Sequence, residues 1–289
     1  MLVCDKTKED LPDVQESTKP NYRLEIDHVG VSDVNLMFSL YTKFGKQVNL
    51  LANVTMTSDL DKDTRGISMS RFLRTIEPFL EKPLKNHLIR EILQEFQTKV
   101  NPSARKFSLT FRFHLPYYKS SPVSGHVFPE FYPCWFTGVL EGGDQFDFYE
   151  GVTVQYASYC PCSAELCEMG EKGFPHAQRS FATVWAHINL PNIVWLEDLV
   201  QAVEQSVVTT TYPIVTRIDE YMISKIAKQN CQFVEDSVRS ISNTLKSDSR
   251  IKDWVVVCRH EESIHKSTAV ASIASSPKVR SEFLLNMLL

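Results

Sequence analysis

The sequence predicts an α+β fold in which antiparallel sheets carry helix pairs on one face, arranged as two successive ββααββ modules. Three observations carry this reading. Phe107, Leu109, Phe111, Phe113 and Leu115 alternate with mostly polar neighbours, the period-two pattern of a half-buried antiparallel strand. Phe72, Leu73, Ile76, Phe79 and Leu80, then Leu84, Leu88, Ile89, Ile92, Leu93 and Phe96, recur instead at helical spacing. The order strand, strand, helix, helix, strand, strand then repeats in the second half, although the two halves share no words. A sheet that must bury one face finds its cover in such a helix pair.

In chain order, residues 1–20 are polar and mixed in charge and are expected as a flexible lead, followed by a first module over 21–141 and a second over 142–289. Residues 23–31 and 46–57 suit strands, with Val48, Leu50 and Val54 as apolar positions, while 36–44 fits either periodicity. Ser68 and Ser70 offer caps for the first helix, and Pro83 ends it or opens the second, which stops near Asn101-Pro102. Residues 135–140 form a further strand, and Glu141-Gly142-Gly143-Asp144 turns into the next. In the second half, Phe146, Phe148, Val152, Val154 and Tyr156 lead a strand up to Cys160, with its partner over 180–188. Residues 195–207 form a helix, 219–245 are helical in one or two pieces, and 251–258 and 268–273 close with two strands. Four-stranded modules leave exposed edges, so joining edge to edge into a larger barrel, and therefore oligomerisation, is expected.

A chain of 289 residues, 43% hydrophobic and 23% charged, can build one large or two medium domains with proper cores. With 31 basic and 35 acidic residues the net charge is −4, which argues against a general nucleic-acid binder; an anionic substrate would have to be met by a local cluster of cations. Seven irregularly spaced cysteines do not form a disulfide framework. The N-terminus has no apolar h-region and no run reaches the length of a membrane span, so a cytoplasmic protein with reduced thiols and no membrane partner is expected.

The candidate chemistry centres on Tyr159-Cys160-Pro161-Cys162-Ser163 and Phe174-Pro175-His176-Ala177-Gln178-Arg179-Ser180. A thiol at the end of one strand, a short polar loop, and an imidazole before the next strand place a sulfur and a nitrogen donor at the same sheet end, where a borderline metal can be held. The spacing alone describes two buried thiols and a loop histidine at least as well. Cys162 reads as a buried neighbour, Cys167 as a loop thiol, His187 as a core histidine and Asp219 as a helix cap.

Leu11-Pro12-Asp13-Val14-Gln15, Arg65-Gly66-Ile67-Ser68-Met69-Ser70-Arg71, Cys160-Pro161-Cys162-Ser163, Pro175-His176-Ala177-Gln178-Arg179-Ser180, Phe233-Val234-Glu235-Asp236 and Glu262-Ser263-Ile264-His265 follow one another in the order seen in the GTP cyclohydrolase type I-B family, which the chain resembles over nearly its whole length. The resemblance implies tandem tunnelling-fold modules, a homotetramer with active sites at subunit interfaces, and conversion of GTP to 7,8-dihydroneopterin triphosphate and formate with a divalent metal ion. By the same resemblance Cys160 is a metal-binding and catalytic thiol, His176 and Glu220 are metal ligands, Glu262 and His265 form the Glu-Ser-Ile-His pair of the active site, and Glu235 grips the purine edge. Three departures stand out: Ser68 where the family usually has histidine, Lys266-Ser267-Thr268 after His265, and a longer stretch between Cys162 and His176.

That chemistry suits these residue types. Opening the imidazole ring of GTP requires hydroxide attack at C8 and then hydrolysis of a formamide. An ion held by thiolate, imidazole and carboxylate keeps a position for water; a thiolate suits zinc, while carboxylate and water also admit manganese or iron. His265 is either a fourth ligand or the proton donor to the ring nitrogen, and Glu262 orients it. A carboxylate at Glu235 accepts from guanine N1–H and the 2-amino group, a pairing adenine cannot reproduce. Arg71, at a helix start, and Arg179, beside His176, are the candidate triphosphate cations, although Arg71 reads equally as a surface charge. The alternatives are a variant giving a cyclic phosphate product and a non-catalytic purine- or pterin-binding protein that kept the fold.

Overall fold

The computed structural model describes residues 14–170, 173–207 and 209–288. The chain is α+β. Helix α1 (Val14–Ser17) precedes β1 (Ile26–Tyr41), β2 (Gln47–Leu60), α2 (Met69–Ile76), α3 (Asn86–Lys99), β3 (Lys106–Ser120), β4 (Val127–Glu141) and β5 (Gln145–Tyr159). Then come α4 (Pro161–Met169), β6 (Ala177–Ile188), α5 (Leu196–Val207), α6 (Arg217–Gln229), α7 (Val234–Lys246), β7 (Ile251–Glu261), β8 (Thr268–Ala274) and α8 (Pro277–Leu288). All eight strands belong to one sheet whose order follows the chain, and β5–β6, β6–β7 and β7–β8 pair antiparallel. No helix among the described residues is long and apolar enough to cross a membrane.

Contacts divide the chain into two compact units. The first comprises residues up to Leu40, Ala52–Phe111 and Thr137–Asp147; the second comprises Tyr41–Leu51, Arg112–Phe136 and Phe148–Leu289. In the first, α3 buries Leu88, Ile89, Ile92, Leu93 and Phe96, and Phe96 meets Phe72 of α2 edge-on at 5.2 Å. Gly138 of β4 lies under α3, where a Cβ would stand 2.4 Å from Ile89 Cγ2; only a glycine lets helix and strand approach so closely. Helix α2 is shorter than its apolar spacing suggests. It ends at Ile76, Glu77–Phe79 form a 3-10 turn, and Leu73 is exposed. Ser68 stands at the N-cap but makes no side-chain cap bond. Of the expected flexible lead, residues 1–13 lie outside the described residues; Gln15 Nε2 donates to Ile67 O at 3.0 Å.

In the second unit α7 packs on β7 and β8 and against α5, burying Leu199, Val200 and Val203 of α5 and Val238, Ile241 and Leu245 of α7. A column of rings runs through it: Trp135 stacks on Trp185, Trp185 on Tyr149, and Tyr149 on His187 at 4.6 Å. His187 is therefore the core histidine expected of it. The helical stretch expected over 219–245 breaks in two. Asn230 ends α6, its Nδ2 donating to Ile226 O, and Asp236 starts α7 by accepting from Phe233 N–H. Asp219 caps α6 as expected, and it does more. Its solvent-inaccessible carboxylate accepts from Thr216 N–H and Oγ1, from Val123 and Ser124 N–H, and from Ser124 Oγ at 2.6–2.9 Å. Burial pushes this carboxyl up, but the Ser124 and Thr216 donors outweigh it and hold it well below the usual range.

Glu150 is the opposite case. It is buried beside Glu197 and Asp198, and its Oε2 has no hydrogen-bond partner among the described residues. Burial first, and those two carboxylates next, push its carboxyl well above the ordinary value, with Arg250 pulling back.

Two outcomes follow from these carboxyls. Folded protein holds a proton on Glu150 where unfolded chain releases it, so Glu150 costs stability as pH rises above the ordinary glutamate pKa. Glu150→Gln should therefore raise Tm at pH 8, by about 2–4 °C for each kcal/mol regained, with the gain shrinking toward pH 4. Asp219 has the reverse sign, its contribution present above the ordinary aspartate pKa and lost on acidification. Asp219→Ala should lower Tm at pH 7 and speed hydrogen exchange at the amides of Val123, Ser124 and Thr216.

Candidate active site

The site is built by strand register. β5 and β6 place Tyr156 opposite Ser180 and Ser158 opposite Gln178; one step further, Cys160 N–H donates to His176 O at 3.3 Å, so thiol and imidazole residues face each other. β6 and β7 place Ser180 opposite His260, and Gln178 Nε2 reaches Glu262 Oε2 at 3.1 Å just past the ladder. Side chains alternate between faces, so Tyr156, Ser158 and Cys160, His176, Gln178 and Ser180, and His260 and Glu262 all project to one side. Burial follows the alternation: Gln178 and Ser180 are buried and Arg179 between them is exposed.

Cys160 is half-buried in an extended conformation and caps α4, whose first residue is Pro161. Pro at the first helical position, then Ala164, Glu165 and Leu166, turn the stretch expected to be a polar loop into a helix. Cys162 is accordingly exposed rather than buried, and Cys167 is helical rather than a loop thiol. The six cysteines among the described residues are free thiols.

A pocket of about 560 Å³, within the range that holds small ligands, opens at this sheet end. Cys160, His176, Glu262 and His265 line it, with Ser163, Phe233 and Ile264 among its other walls. Four of the expected site residues are thus brought together. Four others are not among those lining it. Glu220 is exposed in the first turn of α6, Glu235 is exposed in the first turn of α7, and Arg179 projects to the opposite sheet face from Gln178. Arg71 belongs to the first unit, where it lines a groove with Arg74, Phe79, Glu95 and Lys99. Glu235 nonetheless acts on the site electrostatically. Burial pushes the His260 imidazole down to about 4, and Glu262 and then Glu235 pull it back up. Among the described residues, no three His, Cys, Asp or Glu side chains are grouped closely enough to hold a metal ion.

Behind the pocket lies a polar chain that the sequence reading left without roles. Tyr156 OH is 2.8 Å from His260 Nε2, His260 Nδ1 is 3.1 Å from Ser158 Oγ, and Ser158 Oγ donates to Gln178 Oε1 at 2.9 Å. Gln178 Nε2 then lies 3.1 Å from both His176 Nδ1 and Glu262 Oε2. The available signal was polar residues at alternate, inward positions of otherwise apolar strands, Ser158 between Tyr156 and Cys160 and Gln178 before Ser180.

A family model for type I GTP cyclohydrolase folE2 matches residues 11–271. Among similar proteins, the GTP cyclohydrolase FolE2 of Geobacter sulfurreducens is 34% identical over 263 residues, covering 91% of this chain and 97% of the relative. The GTP cyclohydrolase FolE2 of Cereibacter sphaeroides is 31% identical over 290 residues, covering 98% of this chain and 80% of the relative. Solved structures similar to the chain include uricase from Arthrobacter globiformis, with a TM-score of 0.53 at 8% identity over 88% of this chain and 95% of that one. A uricase from Bacillus fastidious has a TM-score of 0.56, also at 8% identity, over 88% and 94% of the two chains. Identity that low shows a common fold alone. Sequence kinship over nearly the full length shows more: the chain belongs to the type I GTP cyclohydrolase FolE2 family.

Proposed function

We propose that the chain is a GTP cyclohydrolase that opens the imidazole ring of GTP, giving 7,8-dihydroneopterin triphosphate and formate, the first step toward folate and related pterins. The observation that carries this reading is the facing pair Cys160 and His176 at the mouth of a pocket also lined by Glu262 and His265.

A divalent ion, zinc, manganese or iron, is part of the proposal. The donor types suit it: Cys160, just past β5, and His176, just before β6, are half-buried and offer a soft and a borderline donor, with His265, which lines the pocket, and Glu220, exposed on α6, as the proposed further ligands. Bound there, the ion would supply Lewis acidity and bring water to its nucleophilic form near neutral pH. The protein side does the rest. Glu262, held by Gln178, faces the pocket as the proton acceptor for water, and His265 at the exposed lip delivers a proton to the purine ring nitrogen. Glu235 accepts from guanine N1–H and the 2-amino group, which excludes adenine.

Among the described residues, none of those lining the pocket is an arginine or lysine, whereas a triphosphate needs cations. This supports a homotetramer with sites at subunit interfaces, in which Glu220, Glu235, Arg71 and Arg179 complete a site between copies. The order β1, β2, α2, α3, β3, β4 supports tandem tunnelling-fold modules over 21–141 and 142–289. Free thiols at Cys160, Cys162, Cys167 and Cys231 suit a reducing cytoplasm.

Incubation of metal-reconstituted protein with GTP, following formate and pterin fluorescence, tests the activity, and product mass separates the linear from the cyclic phosphate. Cys160→Ala should lose more than the roughly 100-fold that removal of a mere supporting partner costs, together with its bound metal. Glu235→Gln should lose kcat/KM by about 100-fold or more, because a buried guanine edge is left mispaired, while its metal content stays. Full activity in Cys160→Ala overturns the mechanism.

A further inference from the structure

The chain leaving α6 runs past the thiol end of β5. Gln232 N–H donates to Tyr159 O at 3.2 Å, so the peptide joining Cys231 to Gln232 is bonded to the peptide joining Tyr159 to Cys160. Where two extended segments share such a bond, the residues flanking it lie about 4.5–5.5 Å apart at Cα, inside the span of about 4.4–6.8 Å that a disulfide bridges. The two sulfurs also feel each other's charge: burial pushes the Cys231 thiol up first, and the Cys160 and Cys167 thiols add to it. Cys231 is half-buried, and its Sγ rests as a donor on Ala227 O at 3.7 Å and Lys228 O at 3.9 Å.

The six free thiols among the described residues divide by what each can reach. Cys134 and Cys258 are sealed in the core. Cys162 follows Cys160 by two residues at the start of α4, a spacing at which side chains on a helix do not face each other. Cys167 stands near the far end of α4, about 9 Å along the axis from its first residue, so joining it to Cys160 would unwind the helix. Cys231 comes from a separate segment and flanks a backbone bond whose other side is flanked by Cys160. Cys160 lines the pocket, where a small oxidant arrives.

We propose that Cys160 and Cys231 form a reversible disulfide when the metal-free protein meets hydrogen peroxide. The Cys160 thiolate attacks one peroxide oxygen: an S–O bond forms, the O–O bond breaks, and the departing hydroxide takes up a proton and leaves as water. Cys231 then gives up its proton and attacks the Cys160 sulfur: the S–S bond forms, the S–O bond breaks, and hydroxide leaves with that proton as a second water. The two sulfurs together lose two electrons, which reduce one peroxide. A dithiol restores both thiols by exchange. Cys231 is thereby the resolving thiol that stops Cys160 from oxidising beyond sulfenic acid. The disulfide follows from the placement of the two residues alone. Its consequence for the enzyme, a metal ligand withdrawn until reduction, rests on the reading of Cys160 as a ligand of the cyclohydrolase site.

The test uses full-length protein freed of metal with a chelator, treated with hydrogen peroxide, then alkylated and digested without reductant. The expected product is one cross-linked peptide pair containing Cys160 and Cys231, two hydrogens lighter than the separate peptides and absent after dithiothreitol. Wild-type protein should then bind zinc as it did before oxidation. Cys231→Ser, lacking the resolving thiol, should lose zinc binding that dithiothreitol does not restore, with Cys160 found as sulfinic acid. Cys160 joined to Cys162 or Cys167, or Cys231 joined to Cys167, overturns the proposal, as does Cys160 sulfinic acid that forms in wild type as fast as in Cys231→Ser. Zinc-loaded protein should resist cross-linking, because the ion occupies the Cys160 sulfur. Cross-linking at an unchanged rate overturns Cys160 as a ligand and leaves the disulfide standing. Wild-type protein that cross-links but does not turn over GTP likewise removes the enzyme reading alone.

Discussion

The register of β5, β6 and β7 is the constraint on which the site depends. Because strand side chains alternate between faces, a slip of one residue in either pairing would send Gln178 outward and Arg179 inward, and would break the pairing of Ser158 with Gln178 and of Ser180 with His260. The register is itself held by the core. Tyr156, Ala182, Val184, Val256 and Cys258 share the inward face with the polar residues, so the apolar burial that fixes the strands fixes the site with them. Cys160 and His176 then stand opposite one another without either lying in a regular strand, because the backbone bond between them extends the ladder one step.

Placing so many polar groups inside the unit is tolerable only because they satisfy one another. Tyr156, His260, Ser158, Ser180 and Gln178 form contacts of 2.8–3.1 Å, and their outer end reaches His176 and Glu262 at the half-buried margin. Asp219 follows the same rule, with its carboxylate met by donors from Thr216, Val123 and Ser124. Glu150 breaks it, as a buried carboxyl with an unpartnered oxygen among other acids, and burial answers by holding its proton in place. Glu150 does not line the pocket.

The helices position the pocket's remaining walls. Asp219 ties the start of α6 to residues 123–124, and the break at Asn230 lets the chain turn so that Gln232 N–H donates to Tyr159 O beside Cys160. Phe233, at the start of α7, consequently lines the pocket, and Glu235 two residues on acts on His260 through its charge. Glu220, near the other end of α6 and about 13 Å along the axis from its last residue, stays exposed.

Much was legible in the residues themselves. Periodicity marked the strands around Phe107–Leu115 and the buried stripe of α3, and six ordered words marked the family, since both depend on local spacing that the chain carries wherever it folds. Local reading failed where neighbours decide. Leu73 has helical spacing yet is exposed, the stretch after Cys160 folds as α4 once a proline starts it, and Cys162 is exposed. The sequence alone determined most of the strands and helices, their order and the residue types able to do the chemistry, though not α4 or α8, because propensity and hydrophobic period act within a few residues. Only the tertiary structure decided which of those residues meet. Cross-strand register brought Ser158, Gln178, His260 and Glu262 into one hydrogen-bonded row from positions up to 104 apart, a pairing that long-range burial selects and that no local pattern encodes.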